Sequence, residues 1–88
     1  MARFNIEEAE TGAIGAGAQT DMLFQLGVMY ATGRDCDVDL VAAHKWLNIA
    51  AIKGSEKAAR MRADLAAVMP KTDIARALRE AREWMTMH

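Results

Sequence analysis

The sequence predicts an all-α domain, a helix-turn-helix repeat of about four to five antiparallel helices. Two observations carry that expectation. Apolar residues recur at the three-and-four spacing of helical faces, and glycine, aspartate or proline interrupts those faces at short intervals. With one Pro and six Gly in 88 residues, most of the chain is free to be helical.

Residues 1–20 form an N-terminal partial unit. Phe4, Ile6 and Ala9 suit a short helix with its acidic residues outward, and the stretch TGAIGAGA from Thr11 to Ala18 reads as a turn because three glycines weaken a continuous helix. Residues 21–54 form a complete unit. Met22, Leu26, Met29 and Tyr30 share a helical face flanked by Leu23 and Gly27. A glycine inside a helix costs about 1 kcal/mol relative to Ala, so Gly27 points to a second helix passing close by. Gly33 stops this helix and Asp39 caps the next, whose Ala43, Trp46, Leu47, Ala50 and Ala51 share a face that ends at Gly54.

Residues 55–69 form a third repeat-like helix, capped by Ser55 and running from about Glu56 to Val68, with Ala58, Ala59, Met61, Leu65 and Val68 available for burial. Pro70 breaks the pattern. Residues 70–88 form a capping helix that begins near Lys71 or Thr72 and turns Ile74, Ala77, Leu78, Ala81, Trp84 and Met85 inward. Arg76 with Glu80, and Arg79 with Glu83, lie four apart on its outer face.

The order Leu26-Gly27-x-Met29-Tyr30, Gly33-Arg34, Asp39, Ala43, Lys45-Trp46, Ala50-Ala51 and Gly54 resembles one full Sel-one-like repeat, a relative of the tetratricopeptide repeat. Met69, Ile74-Ala75, Ala77 and Ala81-Arg82-Glu83-Trp84 resemble the terminal capping helix of such proteins. Two positions depart from the family pattern: Asp35 replaces the second loop glycine, and Cys36 the apolar residue after it. Aspartate tolerates a left-handed conformation better than most residues, which keeps the loop feasible. The resemblance implies an α-solenoid fragment, usually bacterial, that scaffolds other proteins and carries no chemistry of its own.

Composition sets further bounds. A chain that is 52% hydrophobic and 26% charged suits one small domain with a modest core, which self-association or a permanent partner helps to stabilise. The single Cys excludes an internal disulfide and fits a reducing compartment. No apolar run is long enough to span a membrane, and the start MARFNIEEAETG lacks the apolar core of a secretory signal. Cytoplasmic location, without membrane insertion, is the expectation. Charge is uneven: residues 1–44 hold two Lys/Arg against seven acids, and residues 45–88 nine against five. Such polarity suits a head-to-tail copy or an oppositely charged partner, or simply solvated faces.

Chemical motifs are few. Asp35-Cys36-Asp37-Val38-Asp39 opens like a calcium loop, but Leu40 and Trp46 stand where that loop needs Gly and an acid. Cys36 and His44 lack the second Cys or HExxH pattern of a zinc site, so Cys36 reads as a packed loop residue and His44 as a helix-surface residue. Gly12, Gly15 and Gly17 follow no strand and precede no Lys-Ser/Thr, unlike a phosphate loop. The expectation is therefore no enzyme, no cofactor and no metal.

The expected function is a protein–protein interaction adaptor or accessory assembly subunit that binds a partner in a groove beside the Tyr30 helix. Its candidate contacts are Phe24, Met29, Tyr30, Trp46, Trp84 and Met85. A homo-oligomer is compatible with this reading. The alternative is a small nucleic-acid-binding regulator using Lys57, Arg60, Arg62, Arg76, Arg79 and Arg82, which interleaved acids and a pI near 6.1 disfavour.

Overall fold

The computed structural model describes residues 2–88, with side chains from Gly17 onward. Four helices follow one another: α1 (Ala2–Thr32), α2 (Leu40–Ile52), α3 (Glu56–Ala66) and α4 (Lys71–Met87). The all-helical class holds. The turn expected between Thr11 and Ala18 is not there, because α1 runs unbroken through it. Glycine lowers helix propensity but terminates a helix only where the chain leaves it in a left-handed conformation, and the stretch also carries Ala13, Ala16 and Ala18, the best helix formers.

Gly33 supplies such an exit for α1. Its φ is 77°, and its N–H and that of Arg34 both donate to the Met29 carbonyl, at 2.8 and 3.2 Å. Asp35 follows with φ 64°, the left-handed role expected of it. The Cys36 thiol packs back toward the same Met29 carbonyl, at 3.6 Å, and the Asp39 N–H closes the loop on the Tyr30 carbonyl, at 2.9 Å. Asp39 then caps α2 by accepting from the Ala42 N–H at 3.0 Å. Gly54, at φ 112°, ends α2, and Ser55 caps α3 through the Ala58 N–H at 3.1 Å. Pro70 precedes α4 without a side-chain cap; its carbonyl accepts from Asp73 and Ile74.

The loop folds α2 back along α1. Asp39 meets Tyr30, Ala43 and Leu47 meet Gly27, and Ile49 and Ala50 share a core cluster with Leu23, so the two helices run in opposite directions. At Gly27 the approach is extreme: a β-carbon there would stand 2.5 Å from Leu47 Cγ and 3.3 Å from the Ala43 carbonyl oxygen. α3 and α4 pack against other sides of α2. Seven of its thirteen residues are buried, among them Ala43, Leu47, Ile49 and Ala50 with no exposure at all. Ala58 on α3 and Ala77 and Ala81 on α4 are likewise completely buried, small side chains at the packed faces of those helices.

Four expectations about faces change. Leu78 is exposed on α4 rather than turned inward, because Ala77 and Ala81 take the buried side of that helix. Val68 lies beyond the end of α3 and is 73% exposed, because that helix stops at Ala66. His44 is buried, 3% exposed, rather than on a helix surface, because α2 is covered on more than one side. Met22 is 67% exposed, because α1 turns Leu23 and Gly27, not Met22, toward α2.

Substitution of Gly27 by Ala adds helix propensity of about 1 kcal/mol but overpacks Leu47 and the Ala43 carbonyl by more, at about 1–3 kcal/mol. Thermal melts should show Gly27→Ala lowering Tm by roughly 5–10 °C. An unchanged or higher Tm would mean that the helices do not approach this closely.

Candidate protein-interaction surface

The six candidate contacts do not gather into one site. Trp46 and Trp84 meet edge to face, with ring centroids 5.5 Å apart and planes at 80°, an arrangement that suits aromatic quadrupoles. The two rings, with Phe24 and Met85, are half-buried against the cluster built on Leu23, Leu47, Ala58 and Ala81. The far side of Trp84 is covered by His88, stacked at 4.2 Å, while Lys45 lies 4.5 Å from the Trp46 ring. α4 is thereby fastened to α2. Tyr30 is half-buried, and its carbonyl anchors the loop.

Met29 lies elsewhere. With Met22, Gln25 and Leu26 it lines a shallow groove of about 360 Å³ along α1, closed at one end by Asp21 and at the other by Arg34. Met22, Leu26 and Met29 stand at i, i+4 and i+7, a stripe on one side of the helix. Leu23, Gly27 and Tyr30 repeat the same spacing one residue later, about 100° around the helix. Leu23 and Gly27 of the second stripe meet α2; of the first, Met22 is exposed, Met29 is half-buried and Leu26 packs partly against the core. The sequence places Met22, Leu26, Met29 and Tyr30 on one face flanked by Leu23 and Gly27; the signal that separates the stripes is Gly27, which marks the side of close approach. Asp21, Gln25 and Arg34, the polar rim, were not singled out.

A second concavity, about 570 Å³, lies between α1 and the α2–α3 turn, lined in part by Asp21, Lys53, Glu56, Lys57 and Arg60. Its charges are mixed, and Lys57 reaches over the Phe24 ring at 5.9 Å. The basic residues considered for nucleic acid are likewise dispersed. Arg76 pairs with Glu80 at 3.7 Å, and Arg62 turns inward to donate to Asn48 Oδ1 at 2.6 Å.

That inward bond belongs to a polar group inside the helical layer. Asn48 and His44 lie one turn apart on α2, both buried, and His44 Nδ1 has no hydrogen-bond partner among the described residues. Desolvation, and then the nearby Arg62 charge, hold the His44 imidazole below its ordinary pKa of 6.5. Asp39, from the calcium-like run, spends its carboxylate on capping α2. Among the described residues no group of three or more His, Cys, Asp or Glu side chains is placed to hold a metal, and no helix is long and apolar enough to cross a membrane.

Comparisons with protein-family models, curated proteins and solved structures find no match to this chain.

The His44 shift sets a pH dependence. A folded-state pKa below the unfolded value means that the unfolded chain binds the proton first, so stability is complete above about pH 6.5 and falls as pH drops through and below that value. Urea unfolding at pH values spanning 6.5 should show this loss in the wild type and a shallower slope in His44→Leu. Equal slopes would remove His44 as its source.

Proposed function

We propose that the chain is a protein-interaction module, an adaptor or assembly subunit without chemistry of its own, and that it binds another protein chain on the outer stripe of α1. The observation that carries this reading is the groove lined by Met22, Leu26 and Met29, in which Met22 is exposed and Met29 half-buried, while Leu26 lines it and also packs against the core. Two flexible thioethers and a leucine at helical spacing, between an acidic and a basic end, suit an apolar helical ligand whose orientation the charges select.

The unit from Asp21 to Gly54 supports the same reading through its resemblance to a Sel-one-like repeat. The resemblance rests on Leu26-Gly27, Met29-Tyr30, Gly33-Arg34, Asp39, Ala43, Lys45-Trp46, Ala50-Ala51 and Gly54, and Asp35, which departs from the family pattern, keeps the loop by its left-handed conformation. Of the candidate contacts, Met29 belongs to the binding stripe, while Phe24, Trp46, Trp84 and Met85 pack against the core behind it and Tyr30 gives its carbonyl to the loop. The proposed setting is cytoplasmic, where the free thiol of Cys36 stays reduced.

The test is recovery of the tagged chain from its source cells after in-cell cross-linking, comparing the wild type with the Met22→Lys/Met29→Lys double variant. Wild type should yield cross-links from α1 to a protein chain, its own copy or another, and the variant should lose them while keeping its helical circular dichroism and melting temperature. Unchanged cross-links in the variant, or nucleic acid as the co-purifying molecule with steeply salt-dependent retention, would overturn the reading.

A further inference from the structure

We infer that the occupant of the α1 groove is a second copy of this chain, packed antiparallel about a two-fold axis. This rests on the reading of α1 as a protein-binding face and names its partner.

The argument is one of self-complementarity. A two-fold interface brings the same patch together from both protomers, so every residue on one side of the axis must find an acceptable partner on the other. The groove meets that condition. Asp21 stands at its beginning and Arg34 at its end, and the one ion pair among the described residues is that of Arg76 with Glu80, so both charges remain available. Five positions separate Asp21 from Leu26, and five separate Met29 from Arg34. An antiparallel register that sets Leu26 opposite the partner's Met29 therefore also sets Asp21 opposite the partner's Arg34.

Each element of this match occurs twice, once at each end, giving two ion pairs and two Leu–Met layers around the axis. Antiparallel packing also sets the helix dipoles in opposition, which favours this orientation over a parallel one. A parallel copy would stack Asp21 on Asp21 and Arg34 on Arg34. An unrelated protein would need an independently matched acid, base and apolar stripe, whereas the copy carries them by symmetry.

The contact is short, so it forms a weak dimer that depends on concentration, with Kd on the order of 10 µM. It is tested by sedimentation velocity of the purified full chain across that range, with circular dichroism to confirm folding. Wild type should pass from monomer to dimer. Asp21→Arg alone and Arg34→Asp alone should each weaken the dimer at least about tenfold by setting like charges together, and the double exchange Asp21→Arg/Arg34→Asp should restore it. Met22→Lys should weaken it as well while leaving the melting temperature of the monomer unchanged.

Restoration by the double exchange is the outcome specific to this geometry. A wild type that stays monomeric at several hundred micromolar overturns the inference, as does a dimer indifferent to the charge variants or a double exchange that does not restore it. If the wild type is monomeric yet the in-cell cross-links to a different protein vanish with Met22→Lys/Met29→Lys, the dimer is refuted and the protein-binding reading stands. If both fail, the stripe is not a binding face.

Discussion

The close approach of α1 and α2 at Gly27 is the constraint on which the rest of the fold depends. Leu47 occupies the space that any side chain at position 27 would need, and it is completely buried there. This contact fixes the rotation of α1 about its own axis. Once Gly27 faces α2, Leu23 follows it inward, and Met22 is carried around to solvent with Leu26 and Met29 half-buried beside it. The outward stripe is thus a geometric consequence of the inward one. A single glycine decides which of two apolar faces becomes core and which remains to be used.

α2 bears the cost of being central. It packs against all three other helices, and two of its buried residues, His44 and Asn48, are polar. Arg62 from α3 satisfies the Asn48 carbonyl oxygen, but its charge also disfavours protonation of His44. An unpartnered buried ring nitrogen is a weakness that a neutral imidazole tolerates and an imidazolium does not. The small side chains Ala43, Ala50, Ala58, Ala77 and Ala81 are completely buried between the helices, while the edge-to-face pair Trp46 and Trp84 joins α2 to the end of α4.

Local features of the chain were legible in the sequence because they have local causes. Asp39 and Ser55 cap their helices with oxygens placed three residues before the amides they accept from, and Gly33 and Asp35 adopt left-handed conformations that few residues tolerate. What periodicity could not resolve was orientation. Two stripes of α1, Met22/Leu26/Met29 and Leu23/Gly27/Tyr30, have identical spacing, and only tertiary contact distinguishes them. For the same reason His44, adjacent in sequence to Lys45, was misplaced on the surface: neighbours in a helix point about 100° apart, and α2 has little free surface. The glycines before Ala18 misled differently, since their propensity cost lowers helix stability without dictating a break. Of the candidate contacts, the sequence offered six residues as one site, whereas the structure sets Met29 on the outer stripe and packs Phe24, Trp46, Trp84 and Met85 against the core.

The most direct test of this account is a double-mutant cycle between positions 27 and 47, followed by urea unfolding. If Gly27 is required because Leu47 fills its space, Gly27→Ala should destabilise the wild type yet become neutral or stabilising, by up to about 1 kcal/mol, in the Leu47→Ala background, where the obstruction is gone and the helix propensity of alanine remains. Simple additivity of the two substitutions would contradict it, and with it the rotation of α1 that leaves Met22 on the outside of the molecule.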